Sequence, residues 1–121
     1  MTRRTELGQK GEALAARYYL DRGCRLLAHN YRTRMGELDL VLMEGKTVVI
    51  CEVKTRTSGA GFGTPAQAVD AAKQRRLILA AGSYLQQAGL SDAPVRFDVA
   101  EVTPAPGGWQ VHCIRDAFTC G

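Results

Sequence analysis

The stretch Gly36-Glu37-Leu38-Asp39-Leu40-Val41-Leu42-Met43-Glu44-Gly45-Lys46-Thr47-Val48-Val49-Ile50-Cys51-Glu52-Val53-Lys54 decides the fold of this chain. Two apolar runs flank the turn signal Glu44-Gly45-Lys46-Thr47, which folds them into a hairpin. A two-residue loop at Gly45-Lys46 pairs Glu44 with Thr47, a four-residue loop pairs Met43 with Val48, and both give one register. Counting outward, Asp39 falls opposite Glu52 and Glu37 opposite Lys54. Side chains alternate along a strand, so Asp39, Glu52 and Lys54 are expected on one side of the sheet. Directly opposed residues have Cβ atoms roughly 4.5–5.5 Å apart, and like charges at that spacing destabilise a sheet. Two carboxylates so placed among valines and leucines require a counter-charge. A divalent cation is the most economical one.

Hard divalent ions such as Mg2+ or Mn2+ take oxygen ligands, usually one or two carboxylates completed by water and substrate phosphate. Asp39 and Glu52 would supply the carboxylates from adjacent strands, and the Val53 carbonyl a further oxygen. A bound ion polarises a phosphoryl oxygen and lowers the pKa of a coordinated water. Lys54, two residues beyond Glu52, could orient that water or offset charge in the transition state. The set is suited to phosphodiester hydrolysis. Two ordinary readings compete with it. A three-residue loop would slip the register and separate the acids, or Glu52 could simply pair with Lys54 or an arginine at the sheet edge.

Glu12 is a candidate third acid. It lies in Gly8-Gln9-Lys10-Gly11-Glu12-Ala13-Leu14-Ala15-Ala16, whose small residues let a helix approach a neighbouring surface closely. The competing reading is an exposed glutamate favoured near a helix N-terminus by the dipole.

The rest of the chain is read around this hairpin. A first helix is expected from about Thr5 to Arg22, ending at Gly23. Cys24 to Arg32 reads as a first strand. Residues 55–63 form a glycine-rich loop, and Thr64-Pro65-Ala66-Gln67 is a helix start with Thr64 as N-cap and a capping box at Gln67. That helix should run to about Ala88 and stop at Gly89, with Val69, Ala72, Leu77, Ala80, Ala81, Tyr84 and Leu85 as its buried stripe. Val95-Arg96-Phe97-Asp98-Val99 alternates as a strand. A turn over residues 104–108 then leads to a last strand from Trp109 to about Arg115. The order is α-β-β-β-α-β-β, an α/β sandwich with a mixed sheet.

At 121 residues the chain is expected to be one domain, 1–121, able to bury roughly two-thirds of its unfolded surface. No apolar run is long enough to span a membrane and residues 1–6 carry no apolar signal core, so a cytoplasmic location without membrane association is expected. Cys24, Cys51, Cys113 and Cys120 lack paired CxxC spacing, which argues against a structural zinc site. Cys51 reads as a buried thiol and Cys120 as an exposed one. His29 and His112 have no metal-ligand spacing and read as structural.

The net charge of +4 is modest, but arginine outnumbers lysine and the basic residues flank the hairpin. Arginine forks suit phosphates, although a merely solvated basic surface would look the same. Arg32, Arg34, Arg56, Lys73 and Arg76 are the candidate nucleic-acid contacts. Lys73, Arg75 and Arg76 cannot all point one way, so at most two of them face a ligand. Phe62 could stack on a base or tuck onto the core. Arg96 and Asp98 share a strand face and are expected to pair with each other.

The blocks Gly36-Glu37-Leu38-Asp39-Leu40 and Cys51-Glu52-Val53-Lys54-Thr55-Arg56 resemble those of the uncharacterised bacterial YraN-like family. The resemblance extends to Gly11-Glu12 with Ala15, Asn30-Tyr31-Arg32, Lys73-Gln74-Arg75-Arg76-Leu77 and Arg96-Phe97-Asp98-Val99, in order along almost the whole chain. That family belongs to the PD-(D/E)XK, or restriction-endonuclease-like, superfamily and is similar in layout to archaeal Holliday-junction resolvases. The resemblance implies a restriction-endonuclease-like core and metal at Asp39 and Glu52. It also implies Glu12 as the helix-borne acid, Lys54 as the motif lysine, and a structured (branched or flapped) nucleic acid, DNA in the first instance, as partner. By resolvase analogy it implies a homodimer. Leu38 stands where the superfamily label has proline.

Overall fold

Thr5 starts the first helix because its hydroxyl accepts the Gly8 backbone N–H at 2.9 Å, satisfying a donor that the first turn cannot. The structure is a computed structural model describing residues 5–57 and 69–119. Its elements are α1 (Glu6–Leu20), β1 (Arg25–Arg32), β2 (Glu37–Glu44), β3 (Thr47–Thr55), α2 (Ala71–Ala88), β4 (Val95–Ala105) and β5 (Gly108–Phe118). They build a five-stranded mixed sheet in the order β1-β2-β3-β4-β5, flanked by two helices. β3 and β4 run parallel and every other neighbouring pair antiparallel, because α2 returns the chain across the sheet between them.

The two faces of the sheet carry separate apolar cores. Val41, Val48, Ile50, Phe97 and Val99 pack under Leu77, Ala80, Ala81, Tyr84 and Leu85 of α2. Leu40, Leu42, Val49, Cys51, Ala100 and Val102 pack under Ala15 and Tyr19 of α1. Central strands buried on both faces read as near-continuous apolar runs, and β2 and β3 do so. Helix α1 lies close to β3 at Gly11, where an added Cβ would fall 1.8 Å from Thr55 Oγ1.

The hairpin has the register counted from its loop, with Glu44↔Thr47 and Leu40↔Cys51 as the ends of the β2–β3 pairing. Gly45 takes φ 59°, a conformation glycine adopts without a Cβ clash. Helix α2 ends as expected at Gly89, which has φ 73°.

Three expectations are corrected. Helix α2 does not run unbroken from Thr64, since Asp70 is extended and is itself the N-cap, its carboxylate accepting the Lys73 N–H at 2.8 Å. The capping box at Thr64–Gln67, the glycine loop from 58 onward, Phe62 and Cys120 lie outside the described residues. β4 and β5 are longer than their alternation indicated, and the turn between them narrows to Pro106-Gly107. Pro104 is tolerated within β4 because the pairing with β3 has already ended at Thr55↔Val102. Among the described residues no helix is long and apolar enough to cross a membrane.

Candidate functional site

Strict alternation fails at one point in β2. Leu38 packs in the α2-side core with Val41, three residues away, while Leu40 and Leu42 pack on the α1 side. β1 switches at the same level. The flanking pairs His29↔Leu40 and Tyr31↔Leu38 put Asn30 across from Asp39, and Asn30 has the left-handed backbone angle φ 51°. Asparagine tolerates that conformation better than most residues. Because both strands change face together, their pairing survives on either side.

Asp39 is thereby turned toward β3. Cα pairing between β2 and β3 stops at Leu40↔Cys51, and beyond it the Asp39 carboxylate (Oδ2) accepts the Val53 backbone N–H at 2.9 Å. The side chain takes up a donor that the diverging strand has released. This pins the carboxylate beside the next acid, Glu52, whose alternation with Val48 and Ile50 puts it on the α2 side.

Both acids are buried, Asp39 to 9 % and Glu52 to 5 % exposure. Two ammonium groups meet Glu52 Oε1, Lys73 Nζ at 2.6 Å and Lys54 Nζ at 3.6 Å. Burial, and then the charge of Asp39, push the Glu52 carboxyl up to about 7 against the pull of the two lysines. Burial lowers the Lys54 ammonium, reinforced by the neighbouring Lys73. Burial also works to lower Lys73, but its hydrogen bond to Glu52 and that residue's charge outweigh it, and the net shift is upward. Perturbed acids beside a specific charge partner are concentrated at functional sites.

Lys73, a candidate phosphate contact, is bonded to an acid in this structure. The signal was present in α2: Leu77, Ala80 and Ala81 face the sheet, and Lys73 is one helical turn before Leu77 on the same face.

Glu12 is also buried, at 7 % exposure. It lines a cavity of about 440 Å³ with Gln9, Ala16, His29, Asn30 and Leu40, between α1 and the outer strands. It belongs to the α1 layer, whereas the Glu52 carboxylate reaches the α2 layer. Among the described residues no three Asp, Glu, His or Cys side chains converge closely enough to hold an ion. The oxygen donors suited to Mg2+ or Mn2+ are thus the Asp39–Glu52 pair, with water and substrate completing such a shell. Two mutually repelling carboxylates fit a dication in donor chemistry, while the two ammonium groups on Glu52 now supply the positive charge.

Of the basic residues, Arg34 and Arg76 are exposed. Gly36, in the turn after β1, lies against the Arg76 backbone, so this turn and α2 border each other. Arg32 is half exposed and pairs with Glu37 at 3.3 Å. Arg56 is drawn into a bond with Glu101 Oε2 at 3.0 Å. Arg96 and Asp98 do pair, through Nε at 2.9 Å and Nη2 at 3.2 Å. Asp98 is fully buried, and it also accepts from the Tyr19 hydroxyl at 2.7 Å and the Asp116 N–H at 2.9 Å. This network ties α1 to β4 and β5, away from the acid pair.

Comparison with known proteins agrees with the sequence blocks that frame the site. The profile of "Uncharacterised protein family UPF0102" matches residues 11–102, a span that includes Glu12, Asp39, Glu52, Lys54 and Lys73. A UPF0102 protein of Symbiobacterium thermophilum is 47 % identical over 120 residues, covering 98 % of both chains. One from Rhodococcus opacus is 44 % identical over 119 residues, covering 98 % of this chain and all of the other. A third, from Anaeromyxobacter dehalogenans, is 44 % identical over 115 residues, covering 95 % of this chain and 85 % of its own. On matches of this extent and identity, the chain belongs to the UPF0102, YraN-like, family of bacterial proteins.

Proposed function

We propose that the protein is a Mg2+- or Mn2+-dependent nuclease-like protein that binds structured nucleic acid, branched or flapped DNA in the first instance, and hydrolyses its phosphodiester bonds. The observation that carries this reading is the buried Asp39–Glu52 pair with Lys54 Nζ 3.6 Å from Glu52. Asp39 and Glu52 would hold the ion, with the Val53 carbonyl as a third oxygen. When bound, such an ion supplies Lewis-acid polarisation of a phosphoryl oxygen and eases deprotonation of water.

The chain's own residues do the rest. The Val53 N–H fixes the Asp39 carboxylate, so its orientation needs no reorganisation when substrate arrives. Lys54 offers a positive charge to a phosphate reaching Glu52. Arg34 and Arg76, exposed on neighbouring elements, would hold the nucleic-acid backbone, and Arg32 could join them by releasing Glu37. Glu12 lies in a cavity next to β2 and could receive a group projecting from the bound strand. A homodimer suits a two-stranded branched substrate.

The direct test is incubation of the purified protein with junction, flap and single-stranded substrates in manganese. Cleavage absent from Asp39→Ala and Glu52→Ala controls is expected; equal activity in wild type and both variants would remove the assignment.

A second reading is favoured by one observation, that Lys73 Nζ already lies 2.6 Å from Glu52. An acid neutralised within the protein is compatible with a nucleic-acid-binding or protein-interaction module that keeps the fold without turnover. Salt-dependent DNA binding that survives Glu52→Ala, with no cleavage on any substrate, would favour this reading.

A further inference from the structure

Charge at the acid pair balances within the protein. Among the described residues, Asp39 and Glu52 contribute two negative charges when both are ionised, and Lys54 and Lys73 two positive ones. The two lysines are held differently. Lys54 stands on β3 itself, 3.6 Å from Glu52 Oε1. Lys73 reaches over from the first turn of α2 and makes the closer contact, 2.6 Å, to the same oxygen. Its approach is built in, because Asp70 caps α2 through the Lys73 backbone N–H and Leu77, one turn on, is anchored in the core. Its side chain is a third exposed, so the ammonium has a short way out to water.

A dication added to this balanced set would leave two positive charges in excess beside a buried carboxylate. One ammonium then has to leave, and the one in bonding contact with the ligand oxygen is Lys73. We propose that Lys73 is a tethered counter-cation that holds Glu52 in the metal-free protein and is displaced when a divalent cation takes that oxygen. The freed ammonium then stands one helical turn from the exposed Arg76, as a contact for nucleic-acid phosphate. This inference rests on the metal-binding reading above. It adds that cation loading and phosphate contact are coupled through one side chain, with Lys73 acting as a positioning residue.

The test is calorimetric titration of MnCl2 into wild type, Lys73→Met, Asp39→Asn and the double variant. A competing cation is removed in Lys73→Met, so its Mn2+ affinity should rise by roughly 5- to 150-fold, and Asp39→Asn should abolish the gain. A merely structural lysine would weaken binding or leave it unchanged. If wild type binds Mn2+ through Asp39 but Lys73→Met binds equally or less tightly, the counter-cation role is overturned and the metal site stands. If no variant binds, the metal site itself fails. In case Lys73→Met does not fold, 15N spectra of the Lys73 side chain in wild type decide the matter. The ion-paired ammonium signal should move to the free-lysine position as MgCl2 is added, and an unmoved signal at saturation overturns the proposal.

Discussion

Asn30, with φ 51°, lies across the β1–β2 ladder from Asp39. The kink in one strand matches the change of face in the other, and it turns the acid toward the Val53 N–H. A left-handed residue in a strand costs about 1–2 kcal/mol when it carries an ordinary side chain. Asn30→Gly should therefore be tolerated, whereas Asn30→Val should destabilise the protein by about 1–2 kcal/mol or more. Urea unfolding measures the difference, and equal midpoints for the two variants would refute the role of the kink.

The charge of Asp39 is the second contribution, after burial, that holds Glu52 up at about 7. Asp39→Asn keeps an acceptor for Val53 and removes that charge. The Glu52 pKa should fall in this variant, as read by 13C titration of its side-chain carboxyl. A pKa that stays in place would mean that the two acids do not sense each other.

Glu52 also sets a pH dependence of stability in metal-free buffer. Its folded-state carboxyl holds a proton more tightly than the unfolded chain, whose ordinary value is 4.5. Below that value both states are protonated, and the folded form carries no penalty. As pH rises from there through about 7 the folded state alone retains the proton, so stability falls across that window, by about 3 kcal/mol at most. Glu52→Gln should flatten this part of the profile. Identical slopes in both proteins, followed by denaturant midpoints from pH 4 to 8, would assign the dependence elsewhere.

Asp98 is fully buried and answers Arg96, Tyr19 and Asp116 together. Asp98→Ala strips two bonds from the Arg96 guanidinium, which keeps only its 2.7 Å bond to Glu44 Oε1 among the described residues, and removes the acceptor of the Asp116 N–H, so it should cost about 2–3 kcal/mol. Tyr19→Phe removes the bond to Asp98 and the weaker 3.2 Å contact with the Cys113 thiol, and should cost about 1 kcal/mol. Comparable losses in the two variants, measured by chemical denaturation, would show that Asp98 is not the hub.

If Arg34 and Arg76 meet phosphates, each change to alanine should weaken DNA binding at low salt and reduce the salt slope by about 1. Arg56→Ala should change the slope less, because that guanidinium is already bonded to Glu101. Fluorescence anisotropy over a salt series gives the slopes. The same loss at all three positions would point to bulk charge instead of a defined track.

Local chemistry was legible in the chain. A loop closed at Gly45-Lys46 leaves one way to pair the residues on either side, so Leu40↔Cys51 followed from counting. Gly89 stops α2 because only a residue free to take a positive φ fits there. The start of α2 was misread because Asp70 offers a second cap six residues beyond Thr64, and Lys73 was placed among the phosphate contacts although its position one turn before the buried Leu77 sets it on the sheet-facing side.

The sequence by itself determined the order of elements and the hairpin register as far as Leu40↔Cys51, which leaves Asp39 and Glu52 as neighbours just beyond the last pair. These depend on turn geometry and on the period of the apolar residues, both local. Only the tertiary structure decided that the pleat inverts at Asn30 and Asp39, that Lys73 neutralises Glu52 across two layers, and that Tyr19 reaches Asp98, 79 residues away. Those contacts join segments distant along the chain, and their partners are chosen by how buried charge can be satisfied once helices and sheet have packed.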